Sequence, residues 1–222
     1  MELLTEILRP FVRLFSRMVF RIRFEGVENV PKTGACIITP NHATYLDPIL
    51  MTIPIHRRIH YMTWSKVFEI PVIGSLARLF GAFPVRIDTV DAAAQREASD
   101  LLENGKVLMM YPEGGRTING RLMPFKLGAF RLALTHGTAL VPVAIEGAYK
   151  VWPAGKLLPR PGRVKITYLP PIEVAKLEAA TKVELRERAR LLASEVKHQI
   201  AGVLGESLED PQESATPTAA AN

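Results

Sequence analysis

Cysteine is nearly missing from these 222 residues: Cys36 stands alone. No disulfide can form within the chain, so a reducing compartment is its expected home and an apolar core its expected source of stability. No run reaches the roughly 18 uncharged apolar residues that a membrane-spanning helix needs. The first apolar stretch is interrupted by charge and lacks a small-residue cleavage site, which argues against a secretory signal. His and Cys show no metal-ligand spacing, so no metal is expected. There is no Gly-x-Ser-x-Gly elbow for a serine nucleophile and no Walker phosphate loop. Arginines and aromatics are not interleaved on one strand, so nucleic acid is not an expected partner. Internal repeats are absent as well.

What remains is an ordinary globular composition, 48% apolar and 23% charged, of a length that suits one domain or one domain with an appendage. The net charge of +6 is unevenly placed. Residues 31–170 hold 17 Lys and Arg against nine Asp and Glu, whereas residues 171–222 hold six against nine. The middle of the chain therefore suits an anionic partner, a phosphate or an acidic lipid surface.

Residues 3–20 carry Leu3, Leu4, Ile7, Leu8, Phe11, Val12, Leu14, Phe15, Met18 and Val19 at helical spacing, with Arg9, Arg13 and Arg17 sharing one face. Such a helix can lie in a membrane interface. Pro10 is expected to kink it or split it in two. Further along, short strands are expected over 21–30, 35–39, 58–63, 81–86, 106–111, 138–145 (broken by Pro142) and 163–169. Helices are expected over about 48–53, 72–80, 90–103, 125–136 and 181–203, the last opened by the capping box Thr181 to Glu184. From Gly205 the composition predicts a disordered tail. The alternation predicts a single α/β domain with a mixed, mostly parallel sheet flanked by helices, preceded by the N-terminal amphipathic helix. Trp64 and Trp152 are read as packing side chains rather than interfacial anchors.

The stretch Pro40-Asn41-His42-Ala43-Thr44-Tyr45-Leu46-Asp47-Pro48 leaves one of these strands and enters a helix. Asp47 before Pro48 is a good helix cap candidate. A carboxylate five residues after a histidine also suits a base and its partner, since His works as a general base near neutral pH and a carboxylate fixes its tautomer. Arg86 and Arg116 are permanent cations with bidentate geometry for phosphate.

Four blocks now stand in order: Asn41-His42 with Asp47; Gly81 to Arg86; Tyr111-Pro112-Glu113-Gly114-Gly115-Arg116-Thr117; and Val141-Pro142-Val143. Together, over roughly residues 20–170, they resemble the glycerolipid acyltransferases, and the 1-acylglycerol-3-phosphate acyltransferases of the PlsC type in particular. The resemblance implies that residues 21–204 form the acyltransferase domain, residues 1–20 a membrane-interface helix and residues 205–222 a tail. It implies His42 as general base, Asp47 as its orienting partner, and Glu113, Gly114, Arg116, Arg86 and Lys66 as acceptor-binding residues. Pro142 is linked to the acyl donor and to packing. The third block usually reads EGTR, and Gly115 stands here for its Thr. The implied reaction moves a fatty acyl chain from acyl-ACP or acyl-CoA to lysophosphatidate on the cytoplasmic face of the cell membrane, with no cofactor. Other lysolipids or hydroxyls, water, or a non-catalytic lipid-binding role are the alternatives.

Overall fold

The computed structural model describes residues 2–86, 91–153, 155–156 and 158–208. In chain order the elements are α1 (Glu2–Phe20), β1 (Arg23–Glu25), β2 (Cys36–Pro40), α2 (Asp47–Thr52), β3 (Ile59–Trp64), α3 (Ile73–Leu79), β4 (Ala82–Val85), α4 (Ala92–Glu103), β5 (Val107–Met109), α5 (Gly128–His136), β6 (Ala139–Glu146), α6 (Ala148–Val151), β7 (Lys165–Tyr168) and α7 (Lys182–Leu204). Short 3₁₀ turns cover Val27–Asn29 and Ser65–Glu69.

The strands form one sheet in the order β1-β7-β6-β2-β5-β3-β4. Strands β2 to β6 run parallel, while β7 runs antiparallel to β6 and carries β1 parallel to itself. Loops after β2, β3, β4 and β5 therefore all open on one rim, the carboxyl ends where α/β sheets build their sites. Central β2 is buried at every position, as a strand covered on both faces must be. One face of the sheet is covered by α1, α2 and α3, with Ile38, Leu50, Met51, Tyr61 and Val143 in that core. The other is covered by α4, α5 and α7, around Ile37, Leu108, Phe130, Leu140 and Val196.

Two expected proline breaks do not occur. Pro142 lies inside β6, and its carbonyl accepts the Leu169 N–H at 2.9 Å. A strand residue's carbonyl and nitrogen face the same neighbour, so the missing donor falls where β7 has already ended at Tyr168. Helix α1 likewise runs on through Pro10, which removes one backbone bond without stopping the helix. Its residues divide three ways. Val12, Ser16, Val19 and Phe20 turn toward the domain, Arg13 and Arg17 are exposed, and Phe11, Leu14, Phe15 and Met18 form a separate exposed apolar stripe, Met18 at 74%.

Helix α7 is capped as expected, Thr181 Oγ1 accepting the Glu184 N–H at 3.1 Å. The chain does not loosen at once after it. Glu206 accepts the Leu122 N–H at 3.0 Å, and residues 209–222 lie outside those described.

Candidate active site

Strand β2 ends at Pro40, and the next residue takes over the pairing with its side chain. The Asn41 amide donates to the Ile145 carbonyl at 3.2 Å and accepts the Ile145 N–H at 2.7 Å, mimicking one more peptide of the ladder with β6. His42 is thereby launched from a fixed point at the rim.

The imidazole is held on its inner nitrogen. Asp47 Oδ2 lies 2.9 Å from His42 Nδ1, and the Asp47 side chain is fully buried while that of His42 is 17% exposed. The same oxygen accepts the N–H groups of Ala43 at 2.7 Å and Thr44 at 2.8 Å, and Oδ1 accepts the Thr44 hydroxyl at 2.6 Å. Asp47 is the first residue of α2 and makes no cap bond to its first turn. The helix-cap expectation thus fails, because the carboxylate points back into the loop that precedes it. A carboxylate engaged by this many donors accepts only, so Nδ1 carries the hydrogen and Nε2 presents its lone pair. Tyr111 stacks on the imidazole with ring centroids 3.9 Å apart and 23° between planes. Burial, then the Asp47 charge, raises the Tyr111 phenol well above its ordinary value, so it stays protonated.

The loop after β5 grips the His42 main chain from both sides. Glu113 Oε1 accepts the His42 N–H at 2.8 Å, and the His42 carbonyl accepts the Thr117 N–H at 2.8 Å. The other Glu113 oxygen accepts the Met123 N–H at 2.9 Å. Glu113 is buried, and both oxygens are committed to backbone. Desolvation pushes its carboxyl up to about 7. In this geometry it braces the histidine.

Gly114 adopts φ +69, and a side chain there would collide with the Lys126 stem, whose Cε and Nζ lie 2.6 Å from the position a Cβ would take. The glycine leaves a slot through which Lys126 crosses the loop. The Gly114 N–H is spent on the Tyr111 carbonyl at 3.0 Å, whereas the space around Gly115 is open. The Arg116 guanidinium lies 3.4 Å from the ring centre of Tyr45, a residue of the His42 loop.

The structure therefore brings His42, Asp47, Glu113, Gly114 and Arg116 together. Lys66 and Arg86 stand farther along the same rim. The Lys66 ammonium sits 5.2 Å from the Trp64 ring after β3. Arg86 follows edge strand β4, 69% exposed, with its Nε 3.4 Å from Asp91. From β2 to β4 is three strand spacings, roughly 14 Å. Sequence reasoning missed Thr44, Tyr45, Tyr111 and Lys126 as parts of the site. For Thr44, Tyr45 and Tyr111 the signal was proximity in sequence to His42 and Glu113; Lys126, well past Glu113, had none, and nothing in residue type marks a ring that stacks or a lysine that packs against a glycine. Cys36 is buried in β2, and desolvation raises its thiol to about 11, so it is no nucleophile. Among the described residues no group of three His, Cys, Asp or Glu side chains could hold a metal ion.

Comparison with known proteins points one way. A sequence model of the family described as Acyltransferase matches residues 21–146. A chloroplastic 1-acyl-sn-glycerol-3-phosphate acyltransferase of Arabidopsis thaliana is 30% identical over 165 residues, 72% of this chain and 46% of that protein. One from Chlamydomonas reinhardtii is 30% identical over 203 residues, 87% of this chain and 58% of that one. The chain spans about half the length of the curated relatives it matches. Among solved structures, the 1-acyl-sn-glycerophosphate acyltransferase PlsC of Thermotoga maritima superimposes with a TM-score of 0.70 at 25% identity, covering 92% of this chain and 81% of that one.

Proposed function

This chain belongs to the acyltransferase family, and from that premise we propose that it moves a fatty acyl group from an acyl-ACP or acyl-CoA thioester to the sn-2 hydroxyl of 1-acylglycerol 3-phosphate, forming phosphatidate. The observation that carries the reading is the His42 imidazole, fixed at Nδ1 by buried Asp47 and open at Nε2. Nε2 takes the acceptor's hydroxyl proton as its oxygen attacks the thioester carbonyl. The imidazolium then formed faces the Asp47 charge. The tetrahedral intermediate collapses with loss of the thiolate, which takes the proton back from His42. The oxyanion needs a donor, and with the Gly114 N–H spent on the Tyr111 carbonyl we assign that duty to the Gly115 N–H, where the loop is open. The reaction needs no acyl-enzyme and no cofactor.

Arg116, held over the Tyr45 ring, supplies the first cation for the acceptor phosphate, with Lys126 beside Gly114 as a second. Lys66 and Arg86 extend the positive rim toward β4. The α1 stripe Phe11, Leu14, Phe15 and Met18 docks the domain on the cytoplasmic face of the membrane, where acceptor and product reside. No helix among the described residues is long and apolar enough to cross a membrane, which fits a peripheral contact. Near the end of α1 a cleft of about 520 Å³ is lined by Arg21, Arg23 and Arg163 together with Glu146, which pairs with Lys165 at 3.4 Å, so three arginines are left to favour anionic headgroups.

The test is thioester release by the purified chain with lysophosphatidate, another lysophospholipid or monoacylglycerol as acceptor. Lysophosphatidate should be preferred over monoacylglycerol by about 100-fold or more in kcat/KM, the order expected when a charge-assisted phosphate contact is lost. Arg116→Met should erase most of that preference through KM. Equal use of monoacylglycerol would contradict the phosphate assignment, and release without any acceptor would indicate a hydrolase.

A further inference from the structure

The segment joining β3 to β4 turns apolar side chains toward solvent. Ile70, Val72, Ile73 and Leu76 are all exposed, Val72 at 70%, and Pro71 is exposed among them. They follow one another through the end of the 3₁₀ turn and the start of α3, so they make a ridge rather than scattered contacts. Its inner side is already occupied. Phe68, Ala77 and Phe80 pack on the core. Gly74 is buried where a Cβ would meet the Phe68 backbone at 2.7 to 2.9 Å, so α3 is pressed against the turn. Val72 sits at φ +67, a region that β-branched residues rarely enter. Cations flank the ridge, Lys66 over Trp64 at 5.2 Å and Arg78 over Phe68 at 4.8 Å, with one exposed carboxylate, Glu69, beside Ile70; Trp64 itself is exposed.

The placement of the ridge says what covers it. Val12, Val19 and Phe20 of α1 pack into the same core as Phe68, Ala77 and Phe80, so both segments lie on one face of the sheet. Helix α1 leads into edge strand β1 and α3 into the opposite edge strand β4, with the His42 loop after central β2 between them. Two separate apolar ridges, each rimmed by Arg or Lys and standing at opposite edges of one face, match a plane better than a groove. A plane that takes apolar side chains at its centre and cations at its margin is an anionic bilayer.

We propose that the Ile70–Leu76 ridge is a second membrane contact, inserting its side chains below the headgroups of an anionic bilayer with Trp64 at the interface. The proposal rests on the reading that α1 docks on a membrane, and it adds a function for the second point. One contact leaves the domain free to tilt about α1, whereas two at opposite edges fix the catalytic rim against the lipid surface.

The chain has two tryptophans, so Trp152→Phe leaves Trp64 as the only one. This variant is mixed with phosphatidylcholine–phosphatidylglycerol vesicles whose acyl chains carry bromine near the headgroup. The expected result is sedimentation with the vesicles together with quenching of Trp64. Adding Val72→Asp and Ile73→Asp, both at exposed positions, should abolish the quenching and lower vesicle partitioning about tenfold or more, with an unchanged thermal transition. Sedimentation without Trp64 quenching overturns the second contact and leaves α1 docking intact. No sedimentation of the parent protein overturns both. The quenching of the parent does not depend on how the aspartate variant folds.

Discussion

Asp47 Oδ2 lies 2.9 Å from His42 Nδ1 and also accepts the N–H groups of Ala43 and Thr44. One buried oxygen therefore fixes both the tautomer of the imidazole and the loop that carries it. Asp47→Asn replaces an acceptor by an amide that cannot satisfy all these donors at once. We expect kcat to fall by about 10²–10⁴ and stability by about 1–3 kcal/mol, read by acyl transfer at saturating acceptor and by thermal melting. A lowered melting temperature with unchanged kcat would reduce Asp47 to a loop brace.

Glu113 makes stability depend on pH. Burial is the main cause that lifts its carboxyl from 4.5 to about 7; the Met123 and His42 N–H groups pull it back, and the charges of Glu206 and Asp47 push it further. Between those values the folded chain keeps a proton that the unfolded chain releases. The Glu113 contribution to stability should therefore be greatest below about pH 4.5, fall as pH rises to about 7, and level off above, with a total of up to about 3 kcal/mol. Glu113→Gln removes this titration. The wild-type-minus-variant stability curve, from denaturant unfolding at a series of pH values, should slope across that window. A flat difference would refute the assignment.

Gly114 and Lys126 should be energetically coupled. Gly114→Ala places a methyl at φ +69 and into the Lys126 stem. The backbone alone costs about 1–2 kcal/mol, and displacing Lys126 adds to it. In Lys126→Ala the second cost disappears, so the double variant should be less destabilised than the sum of the singles by about 0.5 kcal/mol or more. Strict additivity in a double-mutant cycle would show that the slot is not shaped for the lysine.

Much of this was legible in the residues. Apolar runs and helical patterning placed every strand and most helices: β2, buried at every position, shows as an apolar run, and α4 buries Ala94, Ala98 and Leu102 at helical spacing. The prolines misled for a specific reason. Whether a missing N–H matters depends on what lies opposite, and for Pro142 that is Leu169, 27 residues further on and just past the end of β7. The His42–Asp47 pair was legible because its members lie only five positions apart. Glu113 was legible as important but not as a brace, since only the folded chain shows that its two oxygens reach His42 and Met123. The division of α1 into a packed face and an exposed apolar stripe was likewise hidden, because Val12 and Phe11 look alike until a domain lies under one of them.

The central claim is that His42 Nε2 takes the acceptor's proton. Its most direct test is acyl transfer from a thioester to lysophosphatidate by purified His42→Ala, with folding checked by thermal melting. Rate should fall by about 10²–10⁴ while the cooperative transition and vesicle binding persist. A folded His42→Ala protein that transfers acyl groups within about tenfold of the wild-type rate, far less than the loss of a general base causes, would contradict the account.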